Sequence, residues 1–202
     1  MEKIRRTEIC ELLKATDTEK LINVKAWVRT KRSGKNVAFI ALNDGSTINN
    51  IQVVVDLQKI DEENLININT GAAISVNGKL IKSLGSGQSH EIDAHEIEVL
   101  GVANPDEYPI QPKKHSLEFL REHAHLRFRT STFSAITRVR HAMIFAIHKF
   151  FNDKGYCNIH TPIITGSDAE GAGEMFRIST LDNKKPPLNE SGEVDYTQDF
   201  FG

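Results

Sequence analysis

The feature that most constrains this chain is a series of five segments with the pattern of β-strands, the first of which alternates apolar and polar residues. In the first segment, Ile22, Val24, Ala26 and Val28 occupy every second position. A period of two places alternate side chains on opposite faces of a β-strand. Strands are therefore predicted at residues 21–32, 37–43, 48–55, 72–83 and 90–100.

The order of these strands indicates one small barrel. Asp44-Gly45-Ser46 and Gly85-Ser86-Gly87 provide turns between strands, and residues 57–68 are predicted to form a short helix after the third strand. Five strands with a helix at that place are typical of an all-β OB barrel. We assign this domain to residues 1–103 and expect a short helix over 7–14, capped by Thr7.

The second half of the chain has a different sequence pattern. Three prolines between residues 104 and 114 exclude a regular helix there, so residues 104–130 are predicted to be a linker. Apolar residues then recur at helical spacing from 132 to 153, with Ser131 or Thr132 as the cap and Gly155 as the terminator. Residues 158–164 are predicted to form a strand interrupted by Pro162, and residues 182–199 a polar loop. Residues 131–202 would then begin an α+β domain.

Composition excludes several classes. The net charge of −2 does not indicate a nucleic-acid partner, but a local cluster of cations does: Lys25, Arg29, Lys31, Arg32 and Lys35. Two distant cysteines argue against a disulfide framework, and no metal-ligand spacing surrounds the His123–His125 pair. No signal peptide or membrane span is visible, so we expect a soluble cytoplasmic protein that contacts no membrane.

Aromatic, basic and amide residues meet at one edge of the predicted barrel. Phe39 offers a ring on which a base can stack, Arg32 a cation for phosphate, and Gln52 and Glu91 polar groups for a base edge. This combination favours binding of single-stranded nucleic acid. The alternative is that Phe39 belongs to the barrel core and that the cations form a solvated loop.

A second candidate site is the acidic, glycine-containing segment from Ser167 to Glu174. Its glycines allow close approach to a ligand, and its carboxylates are suited to an amino group. The alternative is a surface turn with solvated acids.

Several runs of residues resemble one protein family. They are residues 24–32 with 39–46, residues 108–115 with 118–121 and 125–130, Gly155-Tyr156 with residues 161–164, and residues 170–176. Together they resemble the class II aminoacyl-tRNA synthetases of the aspartyl, asparaginyl and lysyl subgroup. The last run, Glu170-Gly171-Ala172-Gly173-Glu174-Met175-Phe176, resembles the asparaginyl-tRNA synthetases most closely.

The resemblance implies roles for individual residues. Phe39 would stack on an anticodon base, and Arg32, Gln52 and Glu91 would contact the bases or the backbone beside them, with Asp93 as an alternative to Glu91. Glu170 would bind the α-amino group of the amino-acid substrate, with Ser167 nearby. Pro162 would pack across a homodimer interface.

The resemblance also implies an activity: ATP-dependent attachment of asparagine to tRNA(Asn), with Mg²⁺, by a homodimeric ligase. The arginine-bearing second and third motifs of the family do not occur in residues 1–202. We therefore expect a truncated chain that holds no catalytic residue and is inactive alone. Aspartyl-tRNA synthetase, a non-enzymatic OB-fold RNA-binding module and a dimerisation fragment are the alternatives.

Overall fold

The computed structural model describes residues 5–60, 65–83, 85, 87–166, 176 and 178–200. Five strands form a closed barrel in the order β1-β2-β3-β5-β4. They are β1 Leu21–Ser33, β2 Val37–Asn43, β3 Ile51–Asp56, β4 Ala73–Lys82 and β5 His90–Gly101. β3 and β5 are parallel, and the other pairs are antiparallel. The predicted OB barrel is confirmed.

The barrel interior is filled by every second side chain of the strands. Val24, Ile40, Val53, Ile74 and Ile92 are all fully buried, as the alternation predicts. Burying a Val or Ile side chain stabilises the fold by about 1.5–3 kcal/mol. This interior packing fixes which side chains point outward.

A β-bulge interrupts the first strand. Val28 pairs with Leu42, but the next pair along the ladder is Thr30 with Ala41, so Arg29 is an extra residue. An extra residue reverses the alternation beyond it. Arg32 consequently pairs with the outward-facing Phe39, whereas Lys31 pairs with the buried Ile40.

The third strand begins three residues later than predicted, because residues 44–50 form a longer turn. The Asn43 amide closes this turn by donating to the carbonyls of Thr47 at 3.1 Å and Asn49 at 2.9 Å. The helix predicted at 57–68 is wrong for its described residues: 57–60 and 65–68 contain no α-helix, and 61–64 lie outside the described part of the chain. Leu65 and Ile68 are nevertheless buried in the barrel core.

The N-terminal helix α1 is shorter than predicted and is capped differently. It spans Ile9–Leu12, its N-cap is Glu8, and Thr7 does not cap it. Asp44, from the turn after β2, accepts a hydrogen bond from the Ile9 amide at 3.0 Å. Ser46 accepts one from the Cys10 amide, also at 3.0 Å. The cap is supplied by a turn far along the chain, which local sequence does not reveal.

Residues 104–116 contain no helix or strand, as predicted for the linker. A short helix not predicted from the sequence, α2, spans Leu117–Glu122 and is capped by Ser116. The long helix α3 spans Ser131–Asp153. Neither Ser131 nor Thr132 caps it; Thr130 Oγ1 accepts the hydrogen bond from the Phe133 amide at 3.3 Å. Gly155 follows the helix with φ +85°, which confirms its predicted role.

The chain divides into two compact units, Met1–Phe150 and Phe151–Gly202. In the second unit, the strand predicted at residues 158–164 is wrong, because these residues are irregular and exposed and pair with no described strand. Residues 182–199 form a loop, as predicted, with one bridge between Leu188 and Val194 and a 3-10 helix at Tyr196–Gln198. Asp199 holds this loop by accepting hydrogen bonds from Thr180. No helix within the described ranges is long and apolar enough to cross a bilayer.

Candidate nucleic-acid interface

Two rows of outward-facing residues cross the barrel side by side. Strand register places Phe39 between Arg32 and Val54, and Gln52 between Ala41 and Glu91. The first row is Arg32, Phe39, Val54 and Asp93, and the second is Thr30, Ala41, Gln52 and Glu91. The four residues proposed for RNA contact therefore lie on one face, two in each row. The register places Glu91, rather than Asp93, beside Gln52.

Phe39 is not part of the barrel core. Its neighbours Ala38 and Ile40 are fully buried, whereas Phe39 is half-buried on the outer face. The alternative that Phe39 fills the interior is therefore wrong. A partly exposed ring beside an exposed cation has the chemistry needed to stack a base and hold its phosphate.

The cation cluster seen in the sequence is divided by the bulge at Arg29. Arg32 and Lys35 remain exposed at the end of β1 and in the turn after it. Lys31 instead donates a hydrogen bond from Nζ to the Leu65 carbonyl at 2.7 Å. Arg29 is half-buried, and burial lowers the pKa of its guanidinium despite the opposing influence of Tyr108. Arg32 and Lys35 are therefore the exposed cations of the cluster at this edge, whereas the exposed Lys25 lies farther back along β1, opposite Ser75 of β4.

The carboxylate of Glu91 is the most constrained group on the face. The residue is only 7% exposed. Its Oε1 accepts hydrogen bonds from Gln52 Nε2 at 3.1 Å, Ser83 Oγ at 2.7 Å and Gln88 Nε2 at 2.6 Å. Sequence reasoning missed Ser83 and Gln88; the only signal was their position on either side of the glycine turn that precedes β5.

A second basic surface lies in the first unit, where the residues before α3 meet the barrel. The Arg129 guanidinium lies 4.2 Å from the centre of the Trp27 ring. Beside them is a cleft of about 300 Å³ whose lining includes Arg29 and His125 but no carboxylate. Sequence reasoning did not single out this cleft, because its residues come from β1, the turn after β2 and the start of α3.

Ser167 and Glu170, predicted to bind the amino acid, lie outside the described residues, so their roles stay predictions. Pro162 is exposed in an irregular segment, and its place at a dimer interface is likewise a prediction. In the part of the chain that the structure describes, no three His, Cys, Asp or Glu side chains lie together in a way that would hold a metal ion.

Comparison with known proteins identifies both halves of the chain. Residues 22–100 match the family model described as OB-fold nucleic acid binding domain, and residues 116–193 match tRNA synthetases class II (D, K and N). The chain is 57% identical over 201 residues to the asparagine–tRNA ligase of Cytophaga hutchinsonii, and 58% identical over 202 residues to that of Bacteroides fragilis. The chain therefore joins an OB-fold nucleic acid binding domain to part of a class II tRNA synthetase domain.

Solved structures give the same fold for this chain. Asparaginyl-tRNA synthetase from Pyrococcus horikoshii, complexed with asparaginyl-adenylate, matches 91% of this chain with a TM-score of 0.75 at 23% identity. The match covers 42% of that protein. The chain likewise spans 43% of the length of the two curated relatives, although it is matched over 98–100% of its own length.

Proposed function

We propose that the complete protein is an asparagine–tRNA ligase and that the barrel of this chain binds the anticodon of tRNA(Asn). The observation that carries the proposal is identity of 57–58% to asparagine–tRNA ligases over essentially the whole chain. A candidate base-binding face lies within the segment that matches the nucleic acid binding family. In this proposal the protein is a cytoplasmic homodimer.

The geometry of the barrel face supports anticodon binding. Arg32 and Phe39 are adjacent across β1 and β2, and Gln52 and Glu91 occupy the neighbouring row. A stacked base beside Phe39 would place its Watson–Crick edge towards polar groups and its phosphate towards Arg32. The exposed Lys35 extends the positive charge into the turn.

ATP and Mg²⁺ belong to the activity of the complete protein. In this proposal they activate the amino acid, and the synthetase contributes positioning and charge stabilisation around the phosphates. The described residues offer no group of three potential metal ligands. We therefore assign no described residue to the nucleotide or the metal, and Glu170 with Ser167 to the amino acid alone.

Helix α3 and Pro162 are proposed to form the homodimer interface. Val139, Met143 and Phe150 on α3 are 64%, 57% and 58% exposed. Large apolar side chains at such exposure favour contact with another surface. Sedimentation of the complete protein tests this, with Val139→Asp expected to shift a dimer to a monomer and an unchanged dimer contradicting the interface.

The deciding experiment measures charging by the complete gene product. Purified protein with ATP and Mg²⁺ is incubated with tRNA and, in separate reactions, asparagine, aspartate or lysine. Asparagine alone is expected to be esterified to tRNA. Charging with aspartate would establish the aspartyl alternative, which fold likeness cannot separate, because a putative aspartyl-tRNA synthetase from Leishmania major also matches with a TM-score of 0.67.

A second experiment tests the barrel in this chain. The 202-residue chain is titrated with an RNA hairpin that carries the anticodon loop of tRNA(Asn), and Arg32→Ala is the test variant. Weaker binding by the variant is expected. Tight binding combined with no charging by the complete protein would favour the non-enzymatic RNA-binding module. A stable dimer that binds no RNA would favour the dimerisation alternative.

A further inference from the structure

The hydrogen bonds to Glu91 converge on a single oxygen. Oε1 accepts from Gln52, Ser83 and Gln88 at 3.1, 2.7 and 2.6 Å. A carboxylate only accepts, so both amides must present their nitrogen atoms to it. Among the described residues, none donates to the other carboxylate oxygen, Oε2. The two oxygens of Glu91 are therefore in different environments.

Ser83 is itself held in place by the turn between β4 and β5. Its amide donates to the Ser89 carbonyl at 3.1 Å, which closes the turn. Its hydroxyl oxygen accepts from the Gly85 amide at 3.1 Å. A hydroxyl has one proton to donate, and the shorter of its two contacts as a donor is the one to Glu91, 2.7 Å against 3.5 Å to the Gly85 carbonyl. The turn thus determines the direction of the hydroxyl donor.

We propose that Ser83 and Gln88 are positioning residues that fix Glu91 so that Oε2 serves as the single acceptor for an anticodon base. The proposal rests on the proposed anticodon function of the barrel. Hydrogen bonds to ionised acceptors are short and strong, and three of them oppose rotation of the carboxylate. Because only 7% of Glu91 is exposed, a base can contact the carboxylate along one edge only.

This arrangement provides selectivity rather than general affinity. An acceptor in a fixed position strengthens the binding of a base whose Watson–Crick edge carries an N–H donor at the matching place. A base without that donor displaces water from Oε2 and leaves this oxygen unpaired in the complex, which is more costly than the loss of an ordinary hydrogen bond. If Ser83 and Gln88 were absent, Glu91 could rotate to follow either base, and discrimination would fall.

The test compares hairpin binding by Ser83→Ala and Gln88→Ala with binding by the wild-type chain. The probes are the hairpin with the anticodon loop of tRNA(Asn) and three hairpins in which one anticodon base is replaced. Each variant is expected to lose about 3-fold to 10-fold in the ratio between the original hairpin and the replaced one that Glu91 discriminates. The variant Glu91→Gln shows which of the three replaced hairpins is discriminated by Glu91, because it should abolish the binding ratio for that hairpin.

Control variants separate positioning from folding. Ser89→Ala removes a hydroxyl in the same turn that contacts the His90 ring at 2.9 Å and not Glu91, so its ratio should be unchanged. Ser83→Thr keeps the hydroxyl and should restore discrimination. If Gln88→Ala does not fold, Gln88→Met keeps the length of the side chain, removes the donor without adding a charge and should lose the ratio. The dependence of binding on salt should stay the same in all of them, because no phosphate contact is changed.

The outcomes distinguish this inference from the proposed function. If Glu91→Gln loses discrimination while both Ser83→Ala and Gln88→Ala keep it, Glu91 contacts the base without help and the inference is wrong. The inference is also wrong if Gln88→Ala weakens binding of the original hairpin as strongly in the Glu91→Gln background as in the wild-type background. If the wild-type chain binds none of the hairpins, the proposed anticodon function fails, and the inference fails with it.

Discussion

Asp44 connects the turn after β2 to helix α1, and replacing it should destabilise the barrel strongly. Its side chain is 1% exposed. Besides the Ile9 amide, it accepts from the Ser46 amide at 3.0 Å and from the Ser46 hydroxyl at 2.6 Å. The Arg6 guanidinium lies 3.7 Å away. One carboxylate thus organises two segments that are distant in sequence.

The expected magnitude follows from these partners. Asp44→Ala leaves the amide of the fully buried Ile9 without its acceptor, which costs about 1.5–3 kcal/mol for a hydrogen bond to a charged group. The two Ser46 donors are partly exposed and regain water, so they add about 1 kcal/mol together. We expect a total loss of about 2.5–4 kcal/mol, and about half of that for Asp44→Asn, whose amide keeps one acceptor.

Urea unfolding followed by the fluorescence of Trp27, the only tryptophan, measures the effect. Asp106→Ala is the control, since Asp106 is exposed and its side chain has no hydrogen bond or ion pair among the described residues. A loss for Asp44→Ala no larger than for Asp106→Ala would refute the role of Asp44 in joining the turn to α1.

The pH dependence provides a second check. Burial alone raises the pKa of the Asp44 carboxyl, but hydrogen bonds from Ser46 and Ile9, with the Arg6 charge, outweigh it and lower the pKa below 3.8. A lowered pKa in the folded state stabilises the protein above the unfolded pKa, and this stabilisation is lost as pH falls through the folded value. The stability difference between wild type and Asp44→Asn should therefore be constant above about pH 5 and shrink below about pH 4. A difference that stays constant in acid would contradict the reasoning.

Further predictions concern the RNA face and the barrel. Phe39→Ala should weaken hairpin binding by about 1–3 kcal/mol through loss of a base stack, as measured by titration, and unchanged binding in a folded variant would exclude stacking. Binding should weaken by about sevenfold between about 50 and 200 mM salt if Arg32 and Lys35 both face phosphates; a flat profile would argue against phosphate contacts by these two cations. Gly78→Ala should cost about 1–3 kcal/mol or more in urea unfolding, because its Cβ would lie 2.3 Å from the Asp93 carbonyl oxygen. The matched Gly101→Ala, whose Cβ meets only Ala73 at 3.8 Å, should cost little.

The barrel was predictable because interior packing imposes a period of two that is visible in the sequence. Val24 lies between Asn23 and Lys25, and Ile92 between Glu91 and Asp93, for that reason, and β2 has the predicted bounds. The cap of α1 was not predictable, since Asp44 reaches it through the fold and not along the chain. The strand around Pro162 was predicted from local residue preference, but a strand also needs a partner, and no described strand pairs with it.

The candidate site was predictable in its residue types but not in its geometry. Whether Phe39 faces the core or the surface stayed open from the sequence, because residues 37–42 are all apolar, and the structure places it on the outer face of β2. The convergence of Gln52, Ser83 and Gln88 on Glu91 depends on the parallel pairing of β3 with β5 and on the turn before β5. Neither short-range pattern nor composition reports contacts between strands that are so far apart in sequence.

The bulge at Arg29 makes the strongest prediction about how the face is built. Because Arg29 is the extra residue between Val28 and Thr30, deleting it should give a regular ladder in which Arg32 still pairs with Phe39. Hairpin binding should then stay within about threefold of wild type, because Arg32 is retained beside Phe39 as a hydrogen-bonding cation. Deleting Arg29 and Thr30 together removes one residue too many. Lys31 would then pair with Ala41, and Arg32 would face the barrel interior opposite Ile40.

The double deletion should therefore lose hairpin binding at least as severely as Arg32→Ala and should also be less stable, because an unpaired guanidinium cannot be buried cheaply. Titration and urea unfolding of the two deletion variants measure both effects side by side. Equal loss of binding in the single and double deletions would mean that Arg29 contributes through its own side chain. Hairpin binding would then not depend on the register that places Arg32 opposite Phe39.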